Sequence, residues 1–226
     1  GKHAMKENGV LETLLEELSE KKMKPSVYNK IQPNPTDEDI QELISFMDNS
    51  STDSIIGLGG GSALDCSKAA ALLFNNRASP IQSHLRGEGE ITHSALPCVA
   101  VPTTSGTGSE VTPYVSFTEK TSNQKFTFDH PFLIPCIALL DPELTVTMPP
   151  YVTACTGFDA LGHAMEAYWS INHSPFSDTH ALRAARLIML NLAGAVKEPT
   201  DYQCRLNMSI ASCEAGLAIA RTRTTA

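Results

Sequence analysis

Twelve residues, SIIGLGGGSALD at positions 54–65, constrain the fold of this chain more than any others. The run SIIGL is short, apolar and without alternation, which fits a β-strand covered on both faces. Gly59, Gly60 and Gly61 follow, and Ala63 to Phe74 then reads as a helix. Strand, glycine turn and helix in that order begin a βαβ unit, and hence a parallel sheet with helices packed on it. The glycines allow a close backbone approach that side chains would forbid. Ser62 then offers its hydroxyl and amide at a helix N-terminus, where unpaired N–H groups and the helix dipole favour a pyrophosphate. A tight turn without a ligand uses the same glycines, so the motif alone leaves both readings open. Asp65, in the first helical turn, either competes for that positive field or braces the loop.

The remaining elements fit around this unit. Asn8 to Glu20 places Leu11, Leu14, Leu15 and Leu18 on one helical face, and Val27 to Ile31 is strand-like. In PNPTDEDI two prolines mark a loop and Thr36 is a natural N-cap, for a helix turning Ile40, Leu43, Ile44 and Met47 inward. Cys98 to Val101 predicts another buried strand, Thr112 to Phe128 a hairpin turning at Thr121 to Gln124, and Ile137 to Leu140 the last strand. Beyond Pro149 and Pro150 only helical periodicity remains, with Leu182, Ala185, Met189 and Leu192 on one face and Leu206, Ile210, Cys213 and Leu217 on another. The expectation is an α/β domain over residues 1–149 and the first part of an all-α domain over residues 150–226.

A second turn, VPTTSGTGSEV from Val101 to Val111, follows a buried strand as the first does. Thr103, Thr104, Thr107 and Ser109 bring hydroxyls suited to phosphate, ribose or an amide ring, and Gly106 and Gly108 let the backbone close in. A solvated Ser/Thr turn reads the same way in isolation. Two such turns after neighbouring strands form a stronger signal than either one.

In GFDALGHAMEAY, residues 157–168, Asp159 and His163 stand one helical turn apart and project from one face. A carboxylate oxygen and an imidazole nitrogen suit Fe2+ or Zn2+, while an intrahelical Asp to His hydrogen bond has the same spacing. Glu166 is placed to orient the His163 ring. His173 and His180 read as exposed or capping residues, not ligands.

Composition removes other classes. A net charge of −8 with scattered Lys and Arg gives no basic stripe, which argues against nucleic acid as a partner. The longest apolar run, Phe132 to Leu140, is broken by Pro135 and is too short for a bilayer, and no signal-peptide pattern opens the chain. A cytoplasmic protein without a membrane partner is expected. The six cysteines lack CxxC or CxxH spacing and read as buried reduced thiols.

Together GGGSALD, PTTSGTGSEVT, DPELTVTMPP and GFDALGHAMEAY, in this order and at these intervals, resemble the iron-containing alcohol dehydrogenase family over nearly the whole chain. The resemblance implies a dehydroquinate-synthase-like architecture, in which a Rossmann-like N-terminal domain precedes a helical domain and the active site lies in the cleft between them. It implies NAD or NADP as cofactor, a divalent ion that is usually iron and sometimes zinc, and hydride transfer between the nicotinamide and a small aldehyde or alcohol. Position by position, Gly60, Gly61, Ser62 and Asp65 match the pyrophosphate loop, Thr103, Thr104 and Thr107 the second cofactor loop, and Lys125 a lysine that reaches the cofactor. Thr145 and Met148 match positions at the nicotinamide end, Asn34 an asparagine near the cleft, and Asp159 and His163 the first two metal ligands.

The family completes its metal site with two further histidines, whereas this sequence stops at Ala226, and Gly1 corresponds to a position just after the family's first strand. A chain truncated at both ends is therefore expected. Gly1 in the place of an acidic ribose ligand suggests tolerance of NADP(H). The TRTTA ending resembles the phosphonoacetaldehyde reductase branch, with Arg221 or Arg223 available to an anionic substrate. The alternatives are a catalytically incomplete nucleotide-binding fragment and a glycerol-dehydrogenase-like or dehydroquinate-synthase-like enzyme. Association into a homo-oligomer is left open.

Overall fold

The structure, a computed structural model, describes residues 9–223. Helix α1 (Val10–Glu20) is followed by an extended stretch, then α2 (Asp37–Asn49), β1 (Ile55–Gly59), α3 (Gly61–Phe74), a short α4 (Ile81–Leu85) and β2 (Cys98–Pro102). The chain continues through β3 (Tyr114–Glu119), β4 (Gln124–Asp129) and β5 (Ile137–Ala138), and ends in three long helices, α5 (Pro150–Trp169), α6 (Pro175–Lys197) and α7 (Tyr202–Thr222).

Strands β1, β2 and β5 form a parallel sheet in the order β1-β2-β5, with Ile55 opposite Cys98 and Val99 opposite Ile137. The crossover from β1 to β2 runs through α3, whose Leu64, Cys66, Ala69, Ala70, Leu72 and Leu73 are buried. The helix is interior as its sequence reads, but β1 is not covered on both faces as expected: only Gly57 and Gly59 are buried, and Ile56 is 41% exposed. Helix α2 starts where Thr36 accepts from the Asp39 N–H and the Asp39 carboxylate accepts from the Thr36 N–H, a reciprocal cap. Its Ile40, Leu43, Ile44 and Met47 face the core as expected. The antiparallel hairpin β3-β4 turns through Asn123 in the left-handed region and packs Val115, Phe117 and Phe128 on the same cluster.

The last three helices pack through small residues. Ala160, Ala164, Ala184, Ala211 and Ala215 line their shared interface with Ile188 and Met208. Alanine at these contacts brings the helix axes close and spreads dispersion over backbone as well as side-chain atoms.

Other expectations are also corrected. Val27 to Ile31 is extended but not a strand, because no neighbouring chain among the described residues pairs with its backbone. Tyr28 instead sets its ring 5.3 Å from that of Phe46, and Val27 is exposed. On α6 the buried stripe is Ala181, Ala184, Ile188 and Ala195, while Leu182 and Met189 are exposed, so the inward face is rotated from the one read in the sequence. The bundle selects the small residues that permit close approach over the larger apolar ones beside them. The last strand ends at Ala138, short of Leu140. Among the cysteines, Cys136 and Cys155 are exposed, Cys155 lying on the outward side of α5 with Tyr151 and Phe158. For α1, Asn8 falls outside the described residues, and none of Leu11, Leu14, Leu15 or Leu18 is fully buried.

Candidate active site between the glycine turns and helix α5

The two turns read from the sequence lie side by side. The Thr103 N–H donates to the Gly59 carbonyl at 2.9 Å, carrying the β1-β2 pairing into both loops. A Cβ on Gly60 would stand 3.3 Å from the Thr104 side chain, and one on Gly61 2.8 Å from Thr107 Cγ2. Gly60 caps α3 without a side chain, and the first helical bonds run from the Ala63 and Leu64 N–H groups to its carbonyl. The Gly61 and Ser62 amides therefore precede the intrahelical ladder, as the N–H groups that receive phosphate oxygens at a helix start do.

Asp65 braces this junction. One carboxylate oxygen accepts from the Ser109 hydroxyl and the other from the Ser116 N–H at 2.9 Å, so the side chain joins α3 to the second loop and to β3. Three residues on, Lys68 is almost fully buried. Its ammonium donates to the Ser109 carbonyl at 2.9 Å, the Ser109 hydroxyl at 3.1 Å, the Thr112 hydroxyl at 3.4 Å and the Tyr114 carbonyl. Burial lowers the Lys68 pKa, opposed by the nearby Asp65 carboxylate. Glu110, beside it in the loop and 2% exposed, is pushed up to about 7 by burial, against its own backbone N–H and the Lys68 charge.

The second loop also rests on the helical bundle. A Cβ on Gly106 would meet Thr156 Cβ at 2.6 Å, and the Ser105 and Ser209 hydroxyls are 3.0 Å apart. Thr156, Asp159 and His163 are spaced i, i+3 and i+7 along α5, which sets them on one stripe. The loop thus sits on the stripe that carries the acid and the imidazole. There Asp159 Oδ1 stands 3.8 Å from His163 Nε2, with the carboxylate about half exposed (49%) and the imidazole partly so (21%).

This pair suits a first-row divalent cation in donor type and in position on one accessible face. It supplies two donors, and no group of three or more His, Cys, Asp or Glu side chains among the described residues could complete a shell. Glu166 does not orient the ring, contrary to the sequence reading, since the buried His163 Nδ1 has no hydrogen-bond partner. His173 is held 3.0 Å from Asp178, and His180 is bonded to Glu214.

The other candidates differ in depth. Asn34 is exposed in the left-handed region (φ 55°), next to Pro35, whose carbonyl takes the Thr118 N–H at 2.8 Å. Thr118 pairs with Lys125 across the hairpin, so the structure brings Asn34 and the exposed Lys125 to one region. Thr145 and Met148 are buried: the Thr145 hydroxyl donates to the Pro142 carbonyl at 2.8 Å, and the Met148 carbonyl accepts from Arg205 at 3.4 Å. Arg223 pairs with Asp129 at 2.9 Å, and Arg221 lies 5.8 Å from the Phe176 ring centre. Gly1 and residues 224–226 fall outside the described residues.

Lys68, Glu110 and Arg205 were not singled out in the sequence. A lone lysine within CSKAAALLF, a run otherwise fit only for the interior, was the available signal for the first of them.

Comparison with known proteins identifies the family of this chain. Residues 1–142 match the model for iron-containing alcohol dehydrogenase, and residues 153–226 match the C-terminal model of the Fe-containing alcohol dehydrogenase family. Long-chain-alcohol dehydrogenase 1 of Geobacillus thermodenitrificans is 41% identical over 93% of this chain and 53% of its own length. An iron-containing alcohol dehydrogenase of Thermotoga maritima superposes with a TM-score of 0.90 at 37% identity, covering 100% of this chain and 61% of its own. A sulfoacetaldehyde reductase of Bifidobacterium kashiwanohense, solved with NAD+, gives 0.92 at 34% identity over 98% of this chain and 58% of its own. The chain spans about half the length of the curated relatives it matches.

Proposed function

Because the chain belongs to the iron-containing alcohol dehydrogenase family, we propose that it provides the dinucleotide-binding domain (residues 1–149) and metal-bearing helices (residues 150–226) of a metal-dependent enzyme. The reaction is hydride transfer between NAD(P)H and a small aldehyde or the matching alcohol. The observation that carries this reading is the seat of the second glycine loop on Thr156, one turn before Asp159 on the stripe shared with His163.

The roles follow from chemistry at each position. Gly60, Gly61 and Ser62 present amides and a hydroxyl to the pyrophosphate, while Asp65 keeps the loop beside them in place. Thr103, Thr104 and Thr107 offer hydroxyls to the rest of the dinucleotide. Lys125 and Asn34, near one another at the hairpin, offer an ammonium and an amide to cofactor oxygens. Thr145 and Met148 support the nicotinamide end from beneath. Asp159 and His163 are the residues to hold Fe2+ or Zn2+, with the anionic donor moderating the charge of the centre and the neutral one leaving it electrophilic. Bound there, the ion supplies Lewis acidity toward a carbonyl or alkoxide oxygen, and the nicotinamide supplies or accepts the hydride. No side chain of this chain has to act as a nucleophile. No helix among the described residues is long and apolar enough to cross a membrane, and a cytoplasmic enzyme, alone or as a homo-oligomer, accords with this reading.

The test is a panel of small aldehydes reduced with NADH and NADPH by the complete protein at defined metal loading, together with Asp159→Ala and His163→Ala. Both variants are expected to lose bound metal by elemental analysis and to lose at least about 100-fold in turnover. Either variant retaining its metal and near-normal turnover would overturn the assignment.

A further inference from the structure

We infer that Lys68 is a positioning residue for the dinucleotide, its ammonium holding the second loop against α3 in the register where Thr107 meets Gly61. The inference rests on reading the two turns as the dinucleotide site.

Lys68 lies six residues beyond Ser62, inside the helix that opens at the first glycine turn. Every acceptor it finds belongs to the segment that leaves the second loop: the carbonyl and hydroxyl of Ser109, the hydroxyl of Thr112 and the carbonyl of Tyr114. Asp65, three positions earlier on α3, grips the same Ser109 hydroxyl and the Ser116 N–H. Two adjacent turns of one helix thus hold one end of the loop from opposite signs of charge. The loop's other end is fixed by the bond from the Thr103 N–H to Gly59. Between these anchors lie Thr104 and Thr107, the residues in contact with Gly60 and Gly61.

An apolar side chain could fill this space without the desolvation cost of a cation. A methionine there would leave the Ser109 and Tyr114 carbonyls dry and unpaired, and the loop would relax to hydrate them. The displacement would open the junction where the turns meet. A dinucleotide would then have to restore it on binding, and would bind more weakly for that reason.

The experiment compares wild type with Lys68→Met in the complete protein, measuring NADH and NADPH dissociation by nicotinamide fluorescence and steady-state constants with a fixed aldehyde. The expected result is about a tenfold rise in the dinucleotide Kd and KM. The aldehyde KM should hold, and kcat at saturating dinucleotide should change less than KM. A purely structural lysine would instead lower Tm and the active fraction while leaving the dinucleotide KM in place. That result, or an unchanged Kd, overturns the inference alone. Failure of the wild type to bind either dinucleotide overturns the reading of the turns and the inference with it. If Lys68→Met does not fold, Lys68→Gln decides the matter: its amide can still donate to one carbonyl but carries no ammonium, and a rise of at least about threefold in dinucleotide Kd supports the inference while none refutes it.

Discussion

Gly108 and Gly216 meet backbone to backbone, and no side chain fits between them. A Cβ on Gly108 would lie 2.6 Å from Gly216 Cα, and one on Gly216 would lie 2.8 Å from the Gly108 carbonyl oxygen. Gly108 also has φ +63°, a conformation that glycine adopts without penalty. The loop beside the first glycine turn is in this way pressed directly on α7, in the second half of the chain.

Gly216→Ala is expected to destabilise the protein by about 1–3 kcal/mol, because backbone and the Val111 side chain must both move. Gly162→Ala, also on a helix but with nothing within 4 Å of the new methyl, should be neutral or stabilising by up to about 1 kcal/mol. Urea unfolding of the two variants checks the contrast, and equal effects would show that the contact between loop and helix is looser than described.

Glu110 makes stability depend on pH in a defined direction. Its carboxyl is raised by burial from 4.5 to about 7, so the folded protein holds this proton more tightly than the unfolded chain does. The contribution is complete below the unfolded value and is lost as pH rises through the folded one, between about 4.5 and 7. Its ceiling is about 3 kcal/mol. Glu110→Gln should flatten that fall in a series of thermal melts from pH 5 to pH 8, and a slope identical to wild type would show that Glu110 does not cause it.

Arg205 is 1% exposed and has no carboxylate partner among the described ion pairs. It donates to the Pro199 carbonyl and the Thr153 hydroxyl, each at 2.9 Å, and to the Met148 carbonyl at 3.4 Å, tying the start of α7 to the start of α5. Arg205→Met should cost about 2–3 kcal/mol by leaving these acceptors unpaired. Thr153→Val added to that change should cost less than it does alone, which a double-mutant cycle in chemical denaturation measures.

Much of the local geometry at the candidate site could be read before the structure, since glycine turns, a helix cap and an i, i+4 acid and imidazole are local patterns. Thr36 caps α2, and Gly60 stands between β1 and α3 with Gly61 and Ser62 opening that helix, as the glycine run implied. What escaped was set by partners distant in sequence. The stripe through Leu182 and Met189 obeyed the helical period, but the facing surfaces of α5 and α7 are lined by alanine and admit Ala181, Ala184 and Ile188 instead. Val27 to Ile31 has strand composition, yet a strand is defined by the neighbour that accepts its hydrogen bonds. Lys68 could be found only as an anomaly in an apolar helix, because its acceptors lie more than forty residues away.

The seat of Gly106 on Thr156 bears on how such proteins can recombine. Pro150 begins the helical part of the chain, and it is the natural place to cut if domains are judged from the order of elements. A chimera cut there would pair one parent's loop with another parent's helix across a contact that leaves no room for a methyl group. An exchange of the helical part between relatives should therefore succeed only where residues 103–111 come from the same donor as the helices they touch.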